Sequence, residues 1–323
     1  MPVGRGQPRR RRAERCEILR APVKVLATRR YPGPAFEQLD DVEVSPLAEL
    51  TRPRADVEAL VVANEPVPLD LLPSLRIVAN YGVGYDRVDV QACAERGVVV
   101  TNTPGVLTDA TADLAFALIL ATRRQVVEGD RLVRSNGWAG SWSEGGLAQE
   151  VTGATLGIVG LGRIGSAVAR RARGFELRVL YTQRRPAETD LAEFRELDAL
   201  FGEADIITIH APLTPETAGL VDARLLSLLR DGGCFVNAAR GEIVDEPALV
   251  AELVSGRIRA GLDVFAHEPD VPRELFGLPN VVLTPHLGSA TWQTRAKMTR
   301  LMVDNLLAVE RGEPALTPVQ ASQ

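Results

Sequence analysis

The sequence predicts an α/β protein built from two doubly wound parallel sheets. Short apolar runs rich in Val, Ile and Leu recur along the chain, as expected for strands covered on both faces. Helix-length segments separate them, the alternation that gives parallel sheets. A glycine cluster, Gly160-Leu161-Gly162-Arg163-Ile164-Gly165, stands between one such run and an amphipathic segment. At 323 residues the chain is long enough for about two domains.

Four strands are predicted in the first series, at 23–28, 59–63, 75–79 and 97–101. A long helix is predicted over 109–135, with Leu114, Phe116, Leu118, Ile119 and Leu120 on its apolar face. A loop rich in Gly, Ser and Trp follows at 137–149. The second series has strands at 155–160, 178–182, 206–211, 233–238, 259–264 and 281–284. Its helices fall at 163–174, 194–202, 222–230, 246–255 and 291–311. The last helix follows the final strand, so it is free to pack back on the first series.

Hydrophobic residues make up 46% and charged residues 24%, an ordinary globular balance that argues against a disordered or fibrous chain. The longest apolar run, 114–121, has eight residues between Asp113 and Thr122, far short of the ~20 needed to span a bilayer. Cys16, Cys93 and Cys234 fit neither a disulfide framework nor a metal clip, so a reducing, cytoplasmic setting and no metal are expected. Residues 1–22 carry seven arginines against two glutamates, which leaves a net charge of −10 on the rest of a −5 chain. An acidic body argues against a nucleic-acid-binding core. The basic head reads as a disordered extension, and it is the one segment suited to RNA, DNA or an acidic membrane surface.

The glycine motif follows the predicted strand Thr155-Leu156-Gly157-Ile158-Val159 and opens a helix, the context that dinucleotide binding requires. Gly160 allows the tight turn, Gly162 lets a pyrophosphate approach, and Gly165 lets helix and strand pack closely. Arg163 and Ile164 then begin a helix whose free N–H groups face the phosphates. An NAD site places Asp or Glu about 20 residues on, for the ribose 2′-OH. Thr182 stands there instead, followed by Arg184 and Arg185. A guanidinium pairs with a 2′-phosphate that a carboxylate would repel, so NADPH is expected, with NADH the weaker alternative.

The only three histidines are His210, His267 and His286. Hydride transfer to a carbonyl needs a proton donor, work that suits histidine. His286 follows the strand predicted at 281–284, at the carboxyl edge where ligands bind in open α/β sheets. Glu268 follows the strand at 259–264 and is a carboxylate able to orient the ring. Arg240 follows the strand at 233–238 and can clamp a substrate carboxylate with its planar fork.

Several motifs in order resemble the D-isomer-specific 2-hydroxyacid dehydrogenase family. They are Asn80-Tyr81-Gly82-Val83-Gly84-Tyr85-Asp86, Thr108-Asp109-Ala110-Thr111-Ala112-Asp113, the glycine motif, Asn237 to Glu242, Asp263 to Pro269 and Pro285 to Thr291. The resemblance covers about 23–315 and implies a Rossmann coenzyme domain, 105–290, inserted in a flavodoxin-like substrate domain made of 23–104 and 291–323. It implies an Arg240, Glu268 and His286 catalytic set, with Val83 and Gly84 amides on the substrate carboxylate. It places Thr111 and Asp263 by the nicotinamide and Pro212 and Thr217 along the cofactor, and puts Ala238 and Gly288 among the cofactor-binding residues. The segments Gly137-Trp138-Ala139-Gly140-Ser141-Trp142, Gly288-Ser289-Ala290-Thr291 and Arg311-Gly312-Glu313-Pro314 resemble glyoxylate/hydroxypyruvate reductases most. Such an enzyme reduces small 2-oxoacids, and the family implies a homodimer through the 109–135 helix and the Trp138–Trp142 loop. Reductases of the 2-ketogluconate or D-lactate type, a phosphite dehydrogenase relative and a dinucleotide-sensing corepressor-like protein share these motifs and stay open alternatives.

Overall fold

The computed structural model describes residues 23–140 and 147–320. The basic head and Trp142 therefore lie outside the described residues. Two fully parallel sheets form the frame. The first contains β1 (Val25–Ala27), β2 (Val42–Val44), β3 (Ala59–Val62), β4 (Ile77–Asn80) and β5 (Val99–Thr101), in the order β2-β1-β3-β4-β5. That is the flavodoxin-like order. The second contains β6 (Thr155–Val159), β7 (Arg178–Thr182), β8 (Glu193–Phe194), β9 (Ile206–Ile209), β10 (Cys234–Asn237), β11 (Arg259–Leu262) and β12 (Val281–Leu283). Its order, β12-β11-β10-β9-β6-β7-β8, is the Rossmann order with one strand added at the far edge.

Helices cover the faces: α1 (Val90–Glu95), α2 (Thr108–Arg123), α3 (Val126–Arg134), α4 (Arg163–Ala172), α5 (Leu197–Glu203), α6 (Ala223–Leu228), α7 (Glu246–Val254) and α8 (Trp292–Glu310). Central strands are mostly apolar because both faces are buried; β3, β4, β9 and β10 expose no residue, and their few polar side chains, Asn80, Thr208 and Asn237, are buried too. In α8, Met298, Met302, Val303 and Leu306 share one core with Val25, Ala59 and Ile77. The C-terminal helix thus closes the first sheet, not the second, as its place after the last strand allowed.

The structure corrects the sequence reading in three places. The single helix expected over 109–135 is two helices, α2 and α3, separated at Gln125, which is left-handed at φ 53°. The reason is burial. Arg123 is pinned inside, its Nε donating to the carbonyl of Glu150 at 2.9 Å, while α3 buries no residue and turns away from the core. Edge strands β2 and β8 carry too few buried side chains to signal themselves in sequence. Because β8 takes Glu193 and Phe194, the helix expected at 194–202 starts at Leu197. Among the described residues no helix is long and apolar enough to cross a membrane.

Candidate active site

All strands of each sheet run the same way, so their carboxyl ends share one edge, and most of the expected site residues lie at or just beyond those ends, with Thr111 reaching them from α2. The glycine turn leaves β6 at the point where the chain order reverses, between β6 and β9. Gly160 has φ 96°, and a Cβ there would lie 2.8 Å from the Ala211 nitrogen. A Cβ on Gly165 would lie 2.1 Å from the Gly160 oxygen, so α4 packs directly on the turn. Gly162 faces open space and caps α4 without a side chain. The first-turn N–H groups, beginning at Arg163 and Ile164, are left for an anion. This cradle fits a pyrophosphate.

The rim of the cradle comes from two turns, one after β7 and one after β9. Thr182 is buried at the end of β7, and its carbonyl accepts the Gly160 N–H at 2.9 Å. Arg184 and Arg185 beyond it are exposed and have no ion-pair partner among the described residues. Across the crevice the Thr217 hydroxyl donates to the Pro212 carbonyl at 2.6 Å and accepts the Thr214 N–H at 2.8 Å. Pro212 and Thr217 therefore shape one turn, next to the glycine loop.

The three catalytic candidates converge from β10, β11 and β12. Glu268 Oε2 lies 2.8 Å from His286 Nδ1. A carboxylate only accepts, so the shared proton sits on Nδ1 and Nε2 is the working nitrogen. Glu268 Oε1 accepts the Phe265 N–H at 3.2 Å. Burial works against its charge, but the His286 contact, helped by the Phe265 amide and Arg240, outweighs it and holds Glu268 below the usual carboxylate range. The turn bearing Arg240 is locked by Asn237, whose side chain donates to the Arg240 carbonyl at 2.8 Å and accepts the Ala239 N–H at 3.0 Å. Ala238 is half-buried in that turn. A Cβ on Gly241 would lie 2.0 Å from the Phe265 carbonyl carbon. That backbone contact draws the Arg240 turn against the Glu268 loop.

The His286 loop hangs on Asp263, which is fully buried. Its Oδ1 accepts the Thr284 hydroxyl at 2.6 Å and the Leu287 N–H at 2.7 Å, and its Oδ2 accepts the Gly288 N–H at 2.8 Å. Burial pushes the Asp263 carboxyl up despite those donors. His286 takes φ 53°, with its N–H on the Asp263 carbonyl at 2.9 Å. Thr111, on α2, donates to the Gly288 carbonyl at 3.1 Å. Thr111, Asp263 and Gly288 thus form the floor beside His286.

The loop after β4 meets Arg240 from the other sheet. Asn80 donates to the Gly84 carbonyl at 2.8 Å, and Asn102 donates to the Val83 carbonyl at 3.0 Å. The N–H groups of Val83 and Gly84 have no acceptor among the described residues. A Cβ on Gly84 would lie 1.6 Å from Arg240 Nη2, so the guanidinium occupies the space a side chain would need. Asp86 Oδ1 accepts Arg240 Nε at 3.0 Å, and the Ala239 carbonyl accepts Nη1 at 2.7 Å. Asn64, itself left-handed, donates to Asp86 Oδ2 at 2.9 Å. Burial opposes the Asp86 charge, but Arg240, Asn64 and a backbone N–H win and keep it below the ordinary carboxylate range. Nη2 is left beside two unpaired amides, an arrangement that can take a carboxylate.

His210 lies outside the chemistry: its Nε2 is 2.9 Å from the Thr208 hydroxyl, and burial pushes it down to about 4. His267 only closes a turn with Asp270. The other candidates lie in the cradle and its rim, in the Arg240, Glu268 and His286 cluster with its floor, or in the loop after β4. Asp86 was missed. Asp86 stood inside a quoted motif, but its partner is 154 positions away. Among the described residues no cluster of His, Cys, Asp or Glu could hold a metal.

Residues 116–288 match the family model described as D-isomer specific 2-hydroxyacid dehydrogenase, NAD binding domain. A glyoxylate reductase of Pyrococcus horikoshii is 46% identical over 316 residues, covering 90% of this chain and 93% of that protein. A hydroxyphenylpyruvate reductase of Plectranthus scutellarioides is 47% identical over 253 residues, covering 78% and 80%. The crystal structure of an NADPH-dependent glyoxylate/hydroxypyruvate reductase from Sinorhizobium meliloti, in complex with NADP and malonate, is similar with TM-score 0.86 and 38% identity, covering 93% and 97%. The chain therefore belongs to the D-isomer specific 2-hydroxyacid dehydrogenases, oxidoreductases that bind a nicotinamide dinucleotide and act on 2-oxoacids.

Proposed function

We propose that this chain is an NADPH-preferring reductase of glyoxylate, hydroxypyruvate or a comparably small 2-oxoacid, giving the D-2-hydroxyacid. The observation that carries the reading is the 2.8 Å Glu268–His286 pair beside Arg240, whose charge reaches Glu268. Arg240 Nη2 and the Val83 and Gly84 amides bind the substrate carboxylate. That grip fixes which face of the carbonyl turns to the crevice floor of Thr111, Ala238, Asp263 and Gly288. A bound dinucleotide supplies the hydride. Glu268 holds the ring through Nδ1, and in the imidazolium form, with both nitrogens protonated, His286 Nε2 gives its proton to the carbonyl oxygen as negative charge develops, leaving the neutral ring on Glu268. Arg240 polarises the same oxygen.

Residues 23–104 with 291–323 serve as the substrate-binding unit, and 105–290 as the coenzyme-binding unit. NADPH preference draws on the missing acid at Thr182 and on the exposed Arg184 and Arg185. The Sinorhizobium meliloti reductase, named as NADPH-dependent, supports the same choice. A homodimer is supported by α3, where Val126 and Val133 are 57% and 60% exposed, and by Trp138, 59% exposed. Solvent is a poor destination for such a run of apolar side chains.

His286→Gln should lower kcat on glyoxylate by about 10²–10⁴-fold while NADPH binding, read by fluorescence, stays within about twofold. Unchanged turnover would remove the acid role. Thr182→Asp combined with Arg184→Ala should move the NADPH/NADH ratio of kcat/KM toward NADH by about tenfold or more; an unmoved ratio would place selectivity elsewhere. Sedimentation should report about twice the 34.9 kDa chain mass, and a single-chain mass would contradict the dimer.

A further inference from the structure

Gln183 stands one residue beyond β7, between the glycine turn and the two arginines. Its carboxamide makes two hydrogen bonds of opposite sense. Oε1 accepts the Leu161 N–H at 3.2 Å, inside the glycine motif, and Nε2 donates to the Arg185 carbonyl at 2.8 Å. Only one orientation of the amide satisfies both. The far end of the arginine segment is fastened as well. The Tyr181 hydroxyl accepts the Ala187 N–H at 2.9 Å and donates to the Ala187 carbonyl at 3.1 Å. Tyr181 is buried, with its ring against the edge of Phe194.

Residues 183–187 are therefore pinned at both ends, and Arg184 and Arg185 project from a braced segment. Arg184 lies within charge range of the 212–217 turn. Glu216 on that turn is held below the usual carboxylate range, mainly by Thr214, with the charge of Arg184 contributing. An acid at this strand end would serve a ribose hydroxyl. Gln183 offers an acceptor to the glycine turn with no charge to repel a phosphate.

We propose that Gln183 is a positioning residue for dinucleotide choice: its neutral carboxamide ties the glycine turn to the arginine segment and holds Arg184 and Arg185 for a 2′-phosphate. The inference rests on the NADPH reading above. Gln183→Glu keeps the acceptor toward Leu161, loses the donor toward Arg185 and adds a negative charge. Gln183→Ala loses both ties.

The test is calorimetric titration of adenosine 2′,5′-bisphosphate and of 5′-AMP into wild type and both variants, with KM and kcat for NADPH and NADH alongside. In Gln183→Ala the bisphosphate should weaken about tenfold, 5′-AMP should move by less than about twofold, and the loss should fall on KM for NADPH. Gln183→Glu should weaken the bisphosphate further and swing the ratio toward NADH; it carries the test alone if the alanine variant does not fold. Equal weakening of both nucleotides, or an unmoved bisphosphate, would overturn the role of Gln183 while leaving the NADPH reading intact. A wild-type protein that does not distinguish the bisphosphate from 5′-AMP would overturn that reading itself.

Discussion

The ion pair between Asp86 and Arg240 joins the two halves of the site. Asp86 belongs to the loop after β4 of the first sheet, and Arg240 to the turn after β10 of the second; Nε and Oδ1 are 3.0 Å apart. With Nε held by Asp86 and Nη1 by the Ala239 carbonyl, the guanidinium cannot swing, and Nη2 is aimed at Gly84. Half-buried charges gain little from an idle contact once desolvation is counted. Here the pair sets the position of the cation proposed to meet the substrate carboxylate beside the Val83 and Gly84 amides.

The remaining chemistry depends on backbone held by buried polar side chains. Asp263 binds three donors from the segment that carries His286, so the imidazole sits on a loop built around a carboxylate in the core. Asn237 does the same for Arg240, and Asn80 for the substrate loop. These groups are charged or strongly polar inside the protein, where an unmet hydrogen bond would be costly. Their satisfaction makes each loop take one shape. The Gly241 contact with Phe265 then fixes the spacing between the arginine and the acid–imidazole pair.

Much of this was legible in the chain itself. Apolar runs gave the central strands because a parallel strand buried on both faces has no polar alternation to obscure it. The glycine motif and the three residues beyond β10, β11 and β12 were legible because parallel sheets gather their carboxyl ends at one edge. What stayed hidden depends on tertiary partners. The break at Gln125 has no glycine or proline to announce it; it follows from Arg123 being buried and α3 not. Asp86 and Gln183 take their meaning from atoms 154 and 22 positions away. Strands β2 and β8 are short edges with little burial and hence little pattern.

The most direct measurement of this account is the Michaelis constant for glyoxylate in Asp86→Ala, taken with dinucleotide affinity. Removing the brace frees the guanidinium without touching the cradle at Gly160–Gly165. KM should rise about tenfold or more, with the dissociation constant for the dinucleotide within about twofold of wild type. A glyoxylate KM equal to that of the unaltered protein would contradict the claim that Asp86 aims Arg240 at the substrate.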